Sequence, residues 1–184
     1  MAAYIIAILI IVFVISIFLT DFFGAPWVPT PRKLVPKMLT LAEVGPDDVV
    51  YDLGCGDGRI IIAAARHYGA KAVGIEIDPL RYLWCQAMVS LFGIRDRVTV
   101  VYSNIFTQDL SPATVVTCFL RQRTNNKLEG KLLKELQPGT RVVSNTFIFP
   151  TVPAVAGDDV VRLYLFYPDK FQGLKQAIKT EIEK

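Results

Sequence analysis

The stretch "DDVVYDLGCGDGRIIIAAARHYGA", residues 47–70, leaves this chain little choice of architecture. A valine-rich run ends at Asp52, and three glycines (Gly54, Gly56, Gly58) then alternate within five residues before an apolar run begins. β-Branched residues suit a pleated backbone, and glycine enters left-handed turns that side chains disfavour. Strand, tight turn and helix together open a βαβ unit, whose next strand must be parallel to the first.

The rest of the chain supplies the partners. Strands are predicted at 48–53, 72–77, 97–102, 114–120, 141–149 and 159–167, with helices at 58–68, 79–93 and 125–136. A shorter helix precedes them, with Leu34, Met38, Leu41 and Val44 at helical spacing and Pro36 in its first turns. Such alternation predicts an α/β fold: a doubly wound, mostly parallel sheet covered on both faces. Lys127, Lys131 and Lys134 surround Leu128, Leu132 and Leu136, which reads as a solvated face opposite a buried stripe. Tyr82, Leu83 and Trp84 are expected in the core. His67, the only histidine, sits late in its helix and is expected to serve the helix terminus at the surface.

The apolar residues, 52% of the chain, are concentrated at the front, where residues 2–19 carry no charge. Such a run is long enough to cross a bilayer. No Lys or Arg precedes it, and "TDFFGAPW" is a poor cleavage site, so a retained anchor is expected rather than a signal peptide. Arg32, Lys33 and Lys37 follow the run, which places the remainder on the cytoplasmic side, or the mitochondrial matrix side in a eukaryote. The predicted organisation is a single-pass anchor at 2–20, a proline-rich strap at 21–31, one domain at 32–170 and a short amphipathic tail at 171–184. Cys55, Cys85 and Cys118 are widely spaced, which predicts free thiols in a reducing compartment and no zinc site. A net charge of +3 is too mild to imply nucleic acid.

In a doubly wound sheet, ligands sit beyond the carboxyl ends of the strands, so the glycine turn is the expected site. A nicotinamide dinucleotide would call for G-x-G-x-x-G. Here the spacing is G-x-G-x-G, with Asp52 before it and Asp57 inside it. Carboxylates there repel a pyrophosphate and suit a ligand with an ammonium and no phosphate, as in S-adenosylmethionine. Glu76, in "GIEIDP" at the end of the next strand, is placed to accept from ribose hydroxyls. Asn104, after the third strand, is a candidate to read adenine, with Ile105 and Phe106 as apolar neighbours.

With these residues in place the chain resembles the class I, Rossmann-like methyltransferases that use S-adenosylmethionine. "DLGCGDGR" is similar to their first motif and "GIEIDP" to their second, and the likeness covers about residues 25–168. The strap "APWVPTP", a short helix and "DLGCGDGRIIIAAA" resemble a smaller group, the compact protein-lysine methyltransferases of archaea and their mitochondrial relatives. Mitochondrial members of that group carry an N-terminal membrane segment and modify inner-membrane proteins. The resemblance implies that Gly54, Gly56 and Gly58 shape the methionine end of the cofactor site and that Asp52 lies at its ammonium. It implies that Glu76 holds the ribose, Asn104 faces the adenine, and Thr30 closes over the cofactor or lines a lysine entrance. Cys118, Phe119 and Leu120 fall where such enzymes line the acceptor channel, and Thr30, Phe119, Asn145 and Phe147 are the channel candidates. No metal and no dedicated base are implied, because an apolar channel favours the neutral amine. There is no room for the helical lid of small-molecule enzymes, and the N/D-P-P-Y/F motif of amino-group DNA methyltransferases is absent. The expected partner is therefore a membrane-associated protein presenting a lysine. An anchored methyltransferase for a quinone- or lipid-type small molecule, and a non-catalytic cofactor-binding scaffold, are the alternatives.

Overall fold

The computed structural model describes Tyr4 and residues 28–167. Apart from Tyr4, the expected anchor at 2–20 lies outside the described residues, as do strap residues 21–27, the last three residues of the expected domain (168–170) and the tail at 171–184. Among the described residues no helix is long and apolar enough to cross a membrane.

In chain order the elements are α1 (Leu34–Leu41), β1 (Val49–Leu53), α2 (Arg59–Tyr68), β2 (Lys71–Glu76) and α3 (Pro79–Leu91). They continue with β3 (Val98–Tyr102), β4 (Val115–Cys118), α4 (Gln122–Glu135), β5 (Thr140–Asn145), β6 (Ala156–Gly157) and β7 (Val161–Phe166). The strands form one seven-stranded sheet in the order β3-β2-β1-β4-β5-β7-β6. Strands β1 to β5 pair in parallel, whereas β7 is antiparallel to β5 and β6 to β7. The strand order turns back between β1 and β4, so their carboxyl ends flank the switch point where such sheets bind ligands.

Helices α1, α2 and α3 cover one face, where Met38, Leu39, Ile61, Ala64 and Cys85 share a core cluster with Val50 and Val100. Helix α4 covers the other, packing Leu128, Leu132 and Leu136 against Leu53, Val116, Tyr164 and Phe166. Burial on both faces is why β1 and β4 show no alternation of buried and exposed residues. Helix α3 opens with Pro79 at its first position, and the Asp78 carboxylate accepts from the Arg81 N–H at 2.9 Å, a regular N-cap. At the amino end of the strands, Asp48 accepts from Thr114 Oγ1 at 2.6 Å and from Gly45 N–H at 2.9 Å. Arg141 pairs with Asp48 and donates to the carbonyls of Ala42 and Glu43, which fixes the end of α1 to the floor of the sheet.

Several expected boundaries shift. Strand β5 ends at Asn145 rather than 149, because Thr146 adopts a φ of 67° and turns the chain. Strand β4 ends at Cys118, two residues early, and α4 begins three residues early at Gln122. The two-residue β6 has no counterpart among the predicted strands. Leu83 and Trp84 are not core: each is 60% exposed, because the period of α3 turns Cys85 and Val89 inward and carries these two outward. Tyr82 is half-buried, its ring 5.5 Å from that of Tyr102. His67 is exposed in the last turn of α2 and Leu128, Leu132 and Leu136 are buried, as expected.

Candidate active site

The glycine turn is drawn onto β2 by two hydrogen bonds, from the N–H groups of Gly54 and Cys55 to the Ile75 carbonyl at 2.9 and 3.0 Å. Gly54, Gly56 and Gly58 all have positive φ, so the turn needs glycine for conformation. Gly58 also needs it for space, since a Cβ there would stand 2.5 Å from the Cys85 sulfur. The turn forms the floor of a cleft lined by Thr30, Asp52, Gly54, Gly56, Asp57 and Phe119, to which Val28 and Pro29 of the strap also contribute.

Three acids surround the turn, and each is held differently. Asp52 is 4% exposed, and its carboxylate accepts from Thr117 Oγ1 at 2.8 Å. Burial pushes its pKa up to about 7; the Thr117 hydrogen bond opposes the rise, and the charges of Glu76 and Asp57 add to it. Glu76, also buried, accepts from the Gly56 N–H at 2.9 Å through one oxygen. Its other oxygen accepts from Ile77 and Asp78 N–H at 3.0 and 2.9 Å. A carboxylate has about four acceptor positions, so Glu76 keeps room for a ligand hydroxyl. Asp57 is claimed by Arg59, whose Nε lies 2.8 and 3.1 Å from the two carboxylate oxygens. Burial alone would raise the Asp57 pKa, but the hydrogen bonds and charge of Arg59 outweigh it and hold the group below its ordinary value. Arg59 also donates to the Thr30 carbonyl, so this ion pair ties the strap to the turn. Both acids line the cleft, but Asp57 is paired with Arg59, whereas Asp52 has no cationic partner among the described residues.

Asn104 lies just past β3, and its side-chain oxygen accepts from the Phe106 N–H at 2.9 Å, an Asx turn. Ile105 is half-buried against the core on the α4 face. Neither belongs to the residues lining the cleft beneath the strap. On the other side, the Phe119 and Phe147 rings stack with centroids 6.3 Å apart and planes 26° apart. Asn145, at the end of β5, is 1% exposed; its oxygen accepts from Thr146 Oγ1 at 3.0 Å, and its amide nitrogen has no partner among the described residues. Burial pushes the Cys118 thiol up to about 12, despite a hydrogen bond from Ser144, so it offers no thiolate at neutral pH. Among the described residues no cluster of acids, cysteines and histidine could hold a metal.

Two sets of residues escape a reading of the sequence. Arg59 reads as a helix-start residue, yet it joins Asp57 to the strap. Gln122, Asn125 and Glu129 of α4 hold the loop that carries Phe147. Gln122 exchanges hydrogen bonds with the Ile148 backbone at 2.8 and 3.1 Å, and Asn125 donates to the Phe147 carbonyl at 3.2 Å. Glu129, buried, accepts from Thr151 and Val152 N–H at 2.8 and 3.0 Å. The available signal is their i, i+3, i+7 spacing on the buried side of α4, next to Leu128 and Leu132.

A glycine cradle at the switch point, a buried acid without a cationic partner and a second acid with a free acceptor position define a class I methyltransferase that uses S-adenosylmethionine. The chain belongs to the ANTKMT methyltransferase domain family, whose family model matches residues 52–156. It is 53% identical over 123 residues to a protein-lysine N-methyltransferase of Saccharolobus islandicus, covering 66% of this chain and 76% of that protein. It is 33% identical over 147 residues to the adenine nucleotide translocase lysine N-methyltransferase of Mus musculus, covering 77% of this chain and 62% of that protein. A solved structure described as an RNA methyltransferase from Salinibacter ruber, in complex with S-adenosyl-L-homocysteine, superposes with a TM-score of 0.73 at 42% identity. That match covers 77% of this chain and 95% of the other.

Proposed function

We propose that this enzyme methylates a lysine amine on a membrane-associated protein, and that residues 2–20 anchor it with the domain on the cytoplasmic or matrix side. The observation that carries the reading is the 53% identity to an archaeal protein-lysine N-methyltransferase. Two features of the cleft support it. Residues 146–160, between β5 and β7, hold only a loop and the short β6, so no helical insertion closes the acceptor side there. Phe119 lines the cleft at that side and stacks on Phe147 behind it, an apolar wall that suits an aliphatic side chain.

Asp52 would take the ammonium of the cofactor, Glu76 its ribose hydroxyls and Asn104 its adenine, while Gly54, Gly56 and Gly58 let the backbone approach its methionine end. Bound there, S-adenosylmethionine supplies a methyl group on a sulfonium, transferred in line to the acceptor. The chain's own part is alignment and desolvation. Thr30 and the strap shut water out over the turn, and alignment alone is worth several kcal/mol. A lysine with an ordinary pKa near 10.4 must arrive neutral. The Phe119 and Phe147 rings favour that form by excluding water from a charged amine.

The test uses the full chain, methyl-labelled S-adenosylmethionine and native membranes, with Glu76→Ala as control. Label in a discrete protein band, lost in the control and mapped to lysine by mass spectrometry, supports the reading. Label in the lipid extract would move the assignment to a small-molecule acceptor. A second reading, RNA as acceptor, has one observation in its favour, the similarity to the Salinibacter ruber protein. Label in the nucleic-acid fraction instead of the protein fraction would establish it.

A further inference from the structure

Helix α3 is apolar on two sides. Cys85 and Val89 face the core, while Leu80, Leu83, Trp84 and Leu91 form an outward stripe, with Leu91 76% exposed. Phe92 continues it, and the Arg66 guanidinium lies 4.6 Å from its ring centroid. Beside the stripe runs a groove of about 610 Å³ lined by Val35, Ile62, Tyr68, Trp84, Met88 and Phe92, drawn from all three helices of this face.

The charge of the face is one-sided. Helices α1, α2 and α3 contain no Asp or Glu, yet Arg66 and Arg81 lie on them with Lys37 and Arg59, which are paired to Asp158 and Asp57, and Arg32 and Lys33 immediately precede α1. Of the acids near it, Asp57 is engaged by Arg59, Asp158 by Lys37 and Asp96 by Arg97, and Asp78 is the buried cap of α3, while Glu43, just past the end of α1, is exposed. The uncharged run ends at residue 19, nine residues before Val28, so an extended connection reaches at most about 30 Å.

We propose that the α1–α2–α3 face rests on an anionic lipid surface, with the outward stripe of α3 entering the headgroup region. This deepens the functional reading above and rests on its premise of a membrane-bound enzyme. An exposed apolar stripe within a basic field is the pattern of interfacial helices, and Trp favours that depth. An RNA partner would use the basic residues and the aromatic rings, but it has no use for Leu80, Leu83 and Leu91. The groove and the cofactor cleft share Asp57 and Arg59, so docking in this way presents the cleft at the level of the lipid headgroups. The acceptor lysines it selects are those at the membrane surface rather than on distant soluble domains.

The chain has two tryptophans, Trp27 and Trp84, so Trp27→Phe in the full chain leaves Trp84 as the only reporter. The protein is reconstituted into phosphatidylcholine vesicles with and without about 30% phosphatidylglycerol, using acyl chains brominated near the headgroup. Emission is expected to fall at least about twofold in the anionic vesicles, less in the neutral ones, and to recover in about 0.5 M salt. Leu83→Glu with Leu91→Glu should abolish the quenching while S-adenosylhomocysteine binding persists, which separates lost docking from misfolding. Unquenched Trp84 in anionic vesicles, or release of the quenching by added RNA, would overturn the proposal. Flotation distinguishes the two readings. A chain that floats with neutral vesicles while Trp84 stays unquenched keeps its anchor and loses the docked face. One that floats only with anionic vesicles and is quenched loses the anchor and keeps the face.

Discussion

Along the carboxyl edge of the sheet, the β1–β2 side meets the cleft with carboxylates and hydrogen-bonded backbone, whereas the β4–β5 side meets it with packed rings, on a loop that α4 holds from behind by hydrogen bonds. Glu76 alone ties down three backbone N–H groups, and Asp57 with Arg59 fixes the strap. Opposite them stand two stacked rings, a buried Asn145 whose amide nitrogen has no partner among the described residues, and a loop hung from α4. The first arrangement suits a ligand that never changes, because directional bonds fix one geometry. The second suits an acceptor that arrives on another molecule, since an apolar wall tolerates small differences in approach. Substitutions on the two sides should therefore separate cofactor affinity from turnover.

The largest effect is expected at Glu76→Ala. The buried N–H groups of Gly56 and Asp78 and the part-buried one of Ile77 lose their acceptor, at about 1–3 kcal/mol for each buried group left unsatisfied. S-adenosylhomocysteine affinity should fall at least about a hundredfold in calorimetry, with a lower Tm. An unchanged Tm would mean that water replaces the carboxylate, and that the β1–β2 side is less tightly wired than its bonds imply.

Asp52 gives the next effect, and its sign is opposite for folding and for binding. Its native pKa of about 7 lies above the ordinary carboxyl value near 3.9, so the native state keeps a proton that the unfolded chain has released. Its contribution to stability falls as pH rises from about 4 to about 7 and is flat above that. A ligand ammonium prefers the ionised group, so S-adenosylhomocysteine affinity should rise toward pH 7, by up to about tenfold per unit, and then level off. Asp52→Asn should flatten both profiles; an unchanged binding profile would remove Asp52 from the ammonium site.

Phe119→Ala sharpens the comparison from the other side. Turnover of a protein substrate should drop about tenfold or more, while cofactor affinity stays within about threefold, the pattern of a lost positioning contact. Equal losses in both would break the division between the two sides. The smallest effect is expected at Gln122→Ala, which frees the Ile148 backbone at an exposed site and costs about 1 kcal/mol. It should appear as a two- to threefold rise in KM for the protein substrate with little change in kcat.

The wired side is largely readable from the sequence, and the packed side is not. Asp52, the glycine triplet and Glu76 announce themselves, because backbone conformation and charge restrict which residues serve there. Asp57 is legible but its partner is not: Arg59 two positions on is a common helix-start residue, and only the position of the strap makes it a clamp. Phe119 and Phe147 stand among the channel candidates, but a strand aromatic reads the same whether it packs in a core or lines a cleft. Gln122, Asn125 and Glu129 carry no mark of their role in the sequence, and Gln122 precedes the predicted helix, because the loop they hold is more than twenty residues away in the chain. Leu83 and Trp84 read as core because hydrophobicity reports what a residue prefers and not which side of a helix has a partner.

The sequence by itself determined the alternating α/β order, the glycine turn and the acids at the ends of β1 and β2. Each of these is a local demand on φ, period or charge, and only a few residue types meet it. The antiparallel addition of β7, the early end of β5 at Thr146, the strap clamped by Arg59 and the outward apolar stripe of α3 were decided by tertiary structure alone. All four depend on which distant surfaces meet, and contacts between segments far apart in the chain leave no periodic trace in it.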